Sequence, residues 1–209
     1  MIDNYQIVKG SAHHKILEFV EKNKKILDVG CGNGRLGRYL NKSSKELVGI
    51  DISRKALDEA KPFYDKVLLI NLEKNLNDQF QIKYFDIIIF ADILEHLKYP
   101  QKLLISMRKF LKDDGYIITS IPNVAFYRNR LNLLLGKWDY KKEGILNIDH
   151  YKFFTLKTAK DLINKSGFRI ISTKYSITGS KLTDMLRGFL LKFPNLFAYQ
   201  FIFKAKKKT

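Results

Sequence analysis

Along the first 121 residues, short apolar runs alternate with stretches whose apolar positions recur at helical spacing. Ile26 to Val29, Leu47 to Asp51, Val67 to Asn71, Phe85 to Ala91 and Tyr116 to Ile121 read as strands. Short, apolar runs suit a parallel sheet, because the helices that return the chain between parallel strands cover both of its faces. Helices are predicted in the gaps, near 12–22, 35–42, 53–60 and 101–112. Ser53 is placed to cap the third, its hydroxyl taking a first-turn amide that has no partner within the helix. Asp113, Asp114 and Gly115 read as the turn that ends the fourth.

Beyond Ile121 the rhythm changes. Pro122 and Asn123 break the strand, a mixed segment runs to Phe154, and Thr155 has the character of a cap for a helix ending before Gly167. Strands are predicted at 169–175 and 199–205. Between them Leu182, Met185, Leu186, Phe189, Leu190 and Phe193 follow the spacing of one helical face. That stripe is expected to pack on the domain, with membrane-surface contact or dimerisation as the alternatives. The whole pattern describes one α/β domain over 1–209, with a core at about 20–122, a substrate-facing segment at about 123–154 and a C-terminal helix and hairpin at about 155–209.

Composition narrows the chemistry. A single cysteine, Cys31, excludes an intrachain disulfide, a Cys-rich zinc site and a three-cysteine iron–sulfur motif. No apolar run reaches the length of a membrane span and MIDNYQIVKG lacks a signal-peptide core, so a cytoplasmic location is expected, with peripheral contact at the inner membrane surface as an extension. The formal charge of +17 implies attraction to an anionic partner: nucleic acid, a lipid surface or a phosphorylated substrate.

ILDVGCGNGRLG, Ile26 to Gly37, fits two cofactor loops at once. Gly30, Gly32 and Gly34 form G-x-G-x-G. Gly32, Gly34 and Gly37 form the G-x-G-x-x-G of a dinucleotide site, with Asp51 nineteen residues beyond Gly32. Asp28 decides between them. A carboxylate two positions before Gly30 would face a pyrophosphate with like charge, costing on the order of 3 kcal/mol per pair at about 5 Å and an effective dielectric near 20. S-adenosylmethionine instead brings an ammonium and a cationic sulfur, for which the same carboxylate is favourable. Asp51, after the second strand, can accept both hydroxyls of an adenosine ribose, Asn71 with the backbone of Leu72 can read adenine's edge, and Ile52 can flank the base.

ILDVGCGNG, LVGID, FDIIIFADILEHL and LKDDGYIITSIPN, in that order, resemble class I S-adenosylmethionine-dependent methyltransferases over about residues 20–125. The resemblance implies a Rossmann-like seven-stranded sheet, mostly parallel with a C-terminal antiparallel hairpin, and helices on both faces. It also implies that Asp51 binds ribose, that Gly30, Cys31, Gly32 and Gly34 surround the methionine portion, and that backbone at Phe90, Ala91 and Asp92 receives its ammonium. Asn71 stands where the family more often has aspartate. SIPNV, GILNIDHYKFFT and LFAYQFIFKAK further resemble methyltransferases of cell-surface polysaccharide biosynthesis, although Ile148 to Lys152 replace the Arg-Thr-His-Leu-Arg common there. Acceptors in that setting are sugars on nucleotide or lipid pyrophosphate carriers, which are anionic.

The acceptor should lie beyond the carboxyl ends of the strands, against Asp92 to His96 and the 122–155 segment. His150 is the candidate base for an acceptor hydroxyl, with Asp149 orienting it or binding the acceptor and His96 as a further catalytic candidate. The preferred function is O-methylation of a small-molecule or glycan-linked acceptor without a metal. Asp92, Glu95, His96 and His150 offer an alternative, a divalent metal site similar to those of O-methyltransferases acting on catechol-like rings or RNA ribose ends. Methylation of nucleic-acid bases is disfavoured, since ADILEH replaces the Asn/Asp-Pro-Pro-aromatic motif and Cys31 lies in the loop. A catalytically silent cofactor-binding protein and a nicotinamide dehydrogenase complete the alternatives.

Overall fold

The computed structural model describes residues 6–74, 76, 79–177 and 187–208. Seven strands form one sheet in the order β3-β2-β1-β4-β5-β7-β6. They are β1 Lys25–Val29, β2 Glu46–Asp51, β3 Lys66–Leu69, β4 Phe85–Ala91, β5 Leu111–Pro122, β6 Phe168–Ser176 and β7 Gln200–Lys207. The first five are parallel, and β7 inserts antiparallel between β5 and β6. The mostly parallel sheet with its C-terminal antiparallel hairpin is the architecture the sequence implied.

Alternation along the central strands sends side chains into two separate cores. Leu27 and Val29 of β1 with Ile88 and Phe90 of β4 meet Leu103, Leu104 and Met107 of α4 (Pro100–Met107) and Ala159, Leu162 and Ile163 of α6 (Leu156–Lys165). On the opposite face Ile26, Ile87 and Ile89 meet α1 (Ala12–Leu17), α2 (Gly37–Leu40) and α3 (Arg54–Ala60). Each buried side chain of this size is worth about 1.5–3 kcal/mol, so the doubly covered strands β1 and β4 anchor the fold.

Ser53 caps α3 through the Ala56 amide, and Thr155 caps α6 in a reciprocal pair with Thr158, as the sequence indicated. Several bounds differ from the sequence reading. The first helix ends at Leu17, where Phe19 turns into the core, and α2 keeps only four residues. The fourth ends at Met107 because Leu111 already pairs with Phe85. Asp113, Asp114 and Gly115 therefore lie within β5, in a bulge between the pairs Leu111↔Phe85 and Tyr116↔Ile87. Within the 123–154 segment runs α5 (Tyr127–Leu134). Of the apolar stripe, Leu182, Met185 and Leu186 lie outside the described residues; Phe189 and Leu190 fall on the short helix α7 (Arg187–Leu190), and Phe193 lies just before α8 (Pro194–Phe197).

Because β1 has β2 on one side and β4 on the other, the connections leave in opposite directions and open a crevice at the strands' carboxyl ends. The glycine loop after β1, Asp51 ending β2, and Asp92 to His96 after β4 converge on it.

Candidate active site

Gly30, Gly32 and Gly34 all have positive φ, at 73°, 54° and 83°, a region that side chains other than glycine rarely adopt. At Gly30 space forbids a side chain as well, since a Cβ there would lie 2.7 Å from Ile93. The loop satisfies its own amides. Gly30 and Cys31 donate to the Ile50 carbonyl at 2.8 and 3.0 Å, Gly32 donates to Asp51 Oδ2 at 2.9 Å, and Gly34 donates to the Cys31 carbonyl at 3.0 Å. A phosphate cradle needs such amides free and pointing at the anion. This loop spends them internally, against the dinucleotide reading.

Asp51 also accepts from the Ser53 amide through Oδ1 at 2.9 Å, so two backbone amides hold its carboxylate in place at the end of β2. Beside it opens a cleft of about 280 Å³ lined by Gly30, Ile52, Asn71, Leu72, Ile93 and Tyr151 among others. Ile52 is 66% exposed and offers an apolar face at the wall of this cleft. Asn71 Oδ1 accepts from the Glu73 amide at 2.9 Å, which fixes the side chain at the cleft wall. The dimensions and polarity fit an adenosine: two anchored carboxylate oxygens at one end, an apolar slot at the other.

Asp28 is placed differently from the simplest expectation. It is buried beneath the loop rather than lining the cleft, and its Oδ2 accepts a 2.6 Å hydrogen bond from Tyr64 Oη. Burial pushes its carboxyl up to about 6, against the Tyr64 hydrogen bond, and Asp51 adds to the rise. Its Oδ1 is buried with no hydrogen-bond partner among the described residues. An orphaned carboxylate oxygen is costly in a protein interior, and a ligand cation is one way to satisfy it. Cys31 is buried, and burial raises its thiol far above the ordinary range, as do Asp28 and Asp51, so it serves the loop as an inert small side chain.

Phe90 and Ala91 close β4, and Asp92 follows with φ of 51°, its amide donating to Ser120 Oγ at 3.0 Å. Asp92 Oδ1 accepts from Gln200 Nε2 at 2.8 Å as well as from Ser120 Oγ. α1 brings His13 toward the same carboxylate. Burial holds the His13 imidazole below its ordinary value, opposed by Asp92 and helped by Arg35.

A second cavity of about 220 Å³ adjoins the first through His96, which lines both. Asp92, Glu95, His150, Tyr199 and Gln200 also line it. The chain far downstream is tied here by backbone: the amides of Tyr151 and Lys152 donate to the Glu95 carbonyl at 2.9 and 3.0 Å. This brings the His96 and His150 rings to 4.6 Å, nearly perpendicular. His96 Nδ1 lies 3.2 Å from the Asp149 carbonyl and His150 Nδ1 lies 3.0 Å from the Ile145 carbonyl. A carbonyl only accepts, so in both rings Nδ1 is the donor and Nε2 is the nitrogen left for another partner. Burial lowers the His150 imidazole, the Ile145 carbonyl opposes that, and His96 adds to it.

Of the two roles expected of the Asp149 side chain, it does not fill that of orienting His150. The group orienting His150 is the Ile145 carbonyl, while Asp149 supplies its own carbonyl to His96 and leaves its carboxylate exposed. Of the four suggested metal-binding residues, the structure brings Glu95, His96 and His150 together, with ligand atoms within 4.8 Å of one another. Asp92 stays outside this group, tied to Ser120 and Gln200. Glu95 is buried with Oε2 unpartnered, and burial and then Asp92 raise its carboxyl well above the ordinary value. His13, Tyr64, Tyr199 and Gln200 were not anticipated from the sequence. Each reaches the site from a distant segment, and no local motif marks it.

Sheet order, glycine loop and anchored Asp51 define a class I S-adenosylmethionine-dependent methyltransferase. A family model described as a methyltransferase domain matches residues 6–173, and the chain belongs to that family. It is 26% identical over 168 residues to a ubiquinone biosynthesis O-methyltransferase of Shewanella halifaxensis, covering 78% of this chain and 71% of that protein. A mitochondrial ubiquinone biosynthesis O-methyltransferase of Candida albicans is 29% identical over 161 residues, with 71% of this chain and 49% of the relative covered. The chain thus spans about half the length of the second relative. In fold it is similar to a SAM-dependent methyltransferase of Archaeoglobus fulgidus, with TM-score 0.70 and 19% identity over 95% of this chain and 92% of that one. An S-adenosylmethionine-dependent methyltransferase of Mesorhizobium loti gives 0.67 and 17% over 95% and 99%.

Proposed function

We propose that this methyltransferase acts on a hydroxyl of a small or glycan-linked acceptor held in the cavity between Asp92, His96 and His150. The observation that carries the reading is the pair of histidines, each with Nδ1 held by a backbone carbonyl, lining a cavity that adjoins the cofactor cleft. S-adenosylmethionine supplies a methyl group already activated on a cationic sulfur. The chain's work is therefore alignment, exclusion of water and removal of one proton. Asp51 would hold the ribose, Ile52 and Leu72 would flank the base, and Asn71 would read adenine's edge. Backbone at Phe90 to Asp92, with Asp28 beneath the loop, would serve the ammonium. His150 Nε2 takes the hydroxyl proton as the acceptor oxygen gains its methyl group, and the Ile145 carbonyl stabilises the resulting imidazolium through Nδ1.

The acceptor's remainder extends into a third cavity of about 300 Å³, which shares Glu143, Gly144, Ile145 and Tyr199 with the acceptor cavity. Arg128, Lys137 and Lys141 line it, against Asp139 and Glu143, and suit an acceptor with an anionic portion.

A second reading rests on the Glu95, His96 and His150 group. These three would hold a divalent cation through one carboxylate oxygen and two Nε2 atoms, and the cation would acidify a bound phenolic or ribose hydroxyl. The names of the matched relatives favour a quinone-precursor acceptor under this reading. A panel of nucleotide sugars, catechol-like quinone precursors and RNA, assayed with labelled methyl donor before and after chelation, tests both. Turnover that survives chelation and falls at least about tenfold in His150→Ala supports the metal-free base. Turnover abolished by chelator and restored by a divalent ion supports the second reading, and turnover unaffected by His150→Ala contradicts both.

A further inference from the structure

We propose that α5 and the loop after it dock the enzyme on an anionic membrane surface. No residue of α5 is buried, although a helix of eight residues has little stability of its own in water. Its apolar side chains are turned outward. Asn129 is half-buried and donates through Nδ2 to the Val124 carbonyl at 3.1 Å, and it lines the cavity beneath together with Asn132, which is exposed. Leu131, Leu133, Leu134 and Leu135, clustered in its last turn and C-terminal cap, are exposed by 54%, 57%, 82% and 71%. A helix facing only water would carry polar side chains at these positions.

The surrounding charge identifies what covers it. Between residues 127 and 143 the sequence carries Arg128, Arg130, Lys137, Lys141 and Lys142 against Asp139 and Glu143. Lysine and arginine stems can lie along apolar surface with their charged ends at headgroup level, and Trp138 and Tyr140 are of the types that settle at that boundary. The patch continues across α7 and α8. Arg130 Nη2 donates to the Asn195 carbonyl at 3.5 Å, the Tyr127 and Phe197 rings lie 5.9 Å apart, and Phe189 and Phe193 are exposed. A second copy of this chain is a poor occupant, because a two-fold contact would set the basic face against itself. Apolar anchors ringed by cations are what an interfacial helix presents to acidic lipid. Among the described residues no helix is long and apolar enough to cross a membrane, so the contact is peripheral.

The chain has one tryptophan, Trp138, in the loop after α5, half-buried with its ring 5.7 Å from that of Phe153, and its emission reports on this surface without a label. The full-length protein is mixed with vesicles of phosphatidylcholine containing phosphatidylglycerol, and with vesicles of phosphatidylcholine alone. Neither acceptor nor cofactor is present, so the outcome is independent of the methyl-transfer chemistry. The expected result is co-sedimentation with the anionic vesicles, a blue shift of Trp138 emission, and affinity reduced about tenfold or more in Leu134→Ser/Leu135→Ser. These leucines are exposed, and an unchanged melting temperature verifies that the variant folds. Absence of binding to anionic vesicles overturns the proposal. So does binding that the leucine variant leaves intact, which would assign attraction to dispersed lysines alone, and so does self-association lost in that variant, which would assign the patch to a second copy.

Discussion

Replacing Asp28 by asparagine separates what this side chain costs the fold from what it gives the site. Burial raises its carboxyl from 3.8 to about 6. At about 1.4 kcal/mol per pH unit, that rise corresponds to about 3 kcal/mol of folding free energy forgone when the group ionises. The sign follows from the folded value lying above the unfolded one. The contribution to stability is whole below pH 3.8 and is lost as pH rises through about 6. Asparagine keeps an acceptor for Tyr64 Oη but adds a buried amide with donors to satisfy, at a cost of about 1 kcal/mol. Asp28→Asn should therefore stabilise the ligand-free protein by about 2 kcal/mol near pH 7.5 and destabilise it by about 1 kcal/mol near pH 4. Urea unfolding at a series of pH values reads this crossover directly. Under the proposed role of Asp28, calorimetric titration with S-adenosylhomocysteine should show weaker binding by the same variant, because the carboxylate that would attract the ammonium is gone. A stability difference that does not vary with pH would refute the reasoning, since it would place the ionisation of Asp28 outside the folding balance.

Asp51→Ala removes the acceptor of both the Gly32 and Ser53 amides and, with it, the proposed ribose anchor. Affinity for S-adenosylhomocysteine should fall about a hundredfold or more, measured by calorimetry. Gly30→Ala forces a positive φ on alanine and sets its Cβ against Ile93, so thermal unfolding should report a loss of about 2–4 kcal/mol, of which Ile93→Ala recovers only the steric part. At Glu18, burial raises the carboxyl, but Lys15 and Lys174 outweigh it and hold the group at about 2. This contribution is present above pH 4.5 and lost as pH falls through about 2. The ion pairs are partly solvent-exposed, so wild type should lose only about 1 kcal/mol more than Glu18→Gln over that range, by acid unfolding.

The central strands were readable because parallel strands covered on both faces have no polar side to interrupt them, as Ile87 to Phe90 illustrate. Asp51 was readable because strand, acid and cap follow one another in the chain. Less of the fold's periphery was visible. Asp113-Asp114-Gly115 has the composition of a turn, yet pairing of Leu111 with Phe85 carries the strand through it. α5 departs from the polarity on which helix reading depends, since its leucines are exposed and none of its residues is buried. In the site, His150 and His96 were nameable, but the carbonyls of Ile145 and Asp149 that fix their tautomers have no side-chain signature. His13 and Gln200 reach Asp92 from near the two ends of the described chain, where only tertiary structure could connect them.

The most direct measurement is a crystal structure of the full chain with S-adenosylhomocysteine. It should show the ribose hydroxyls on Asp51, adenine between Ile52 and Leu72, and the sulfur turned toward the cavity of Asp92 and His150. Adenosine bound elsewhere, or a sulfur facing away from both histidines, would contradict the assignment of that cavity to the methyl acceptor.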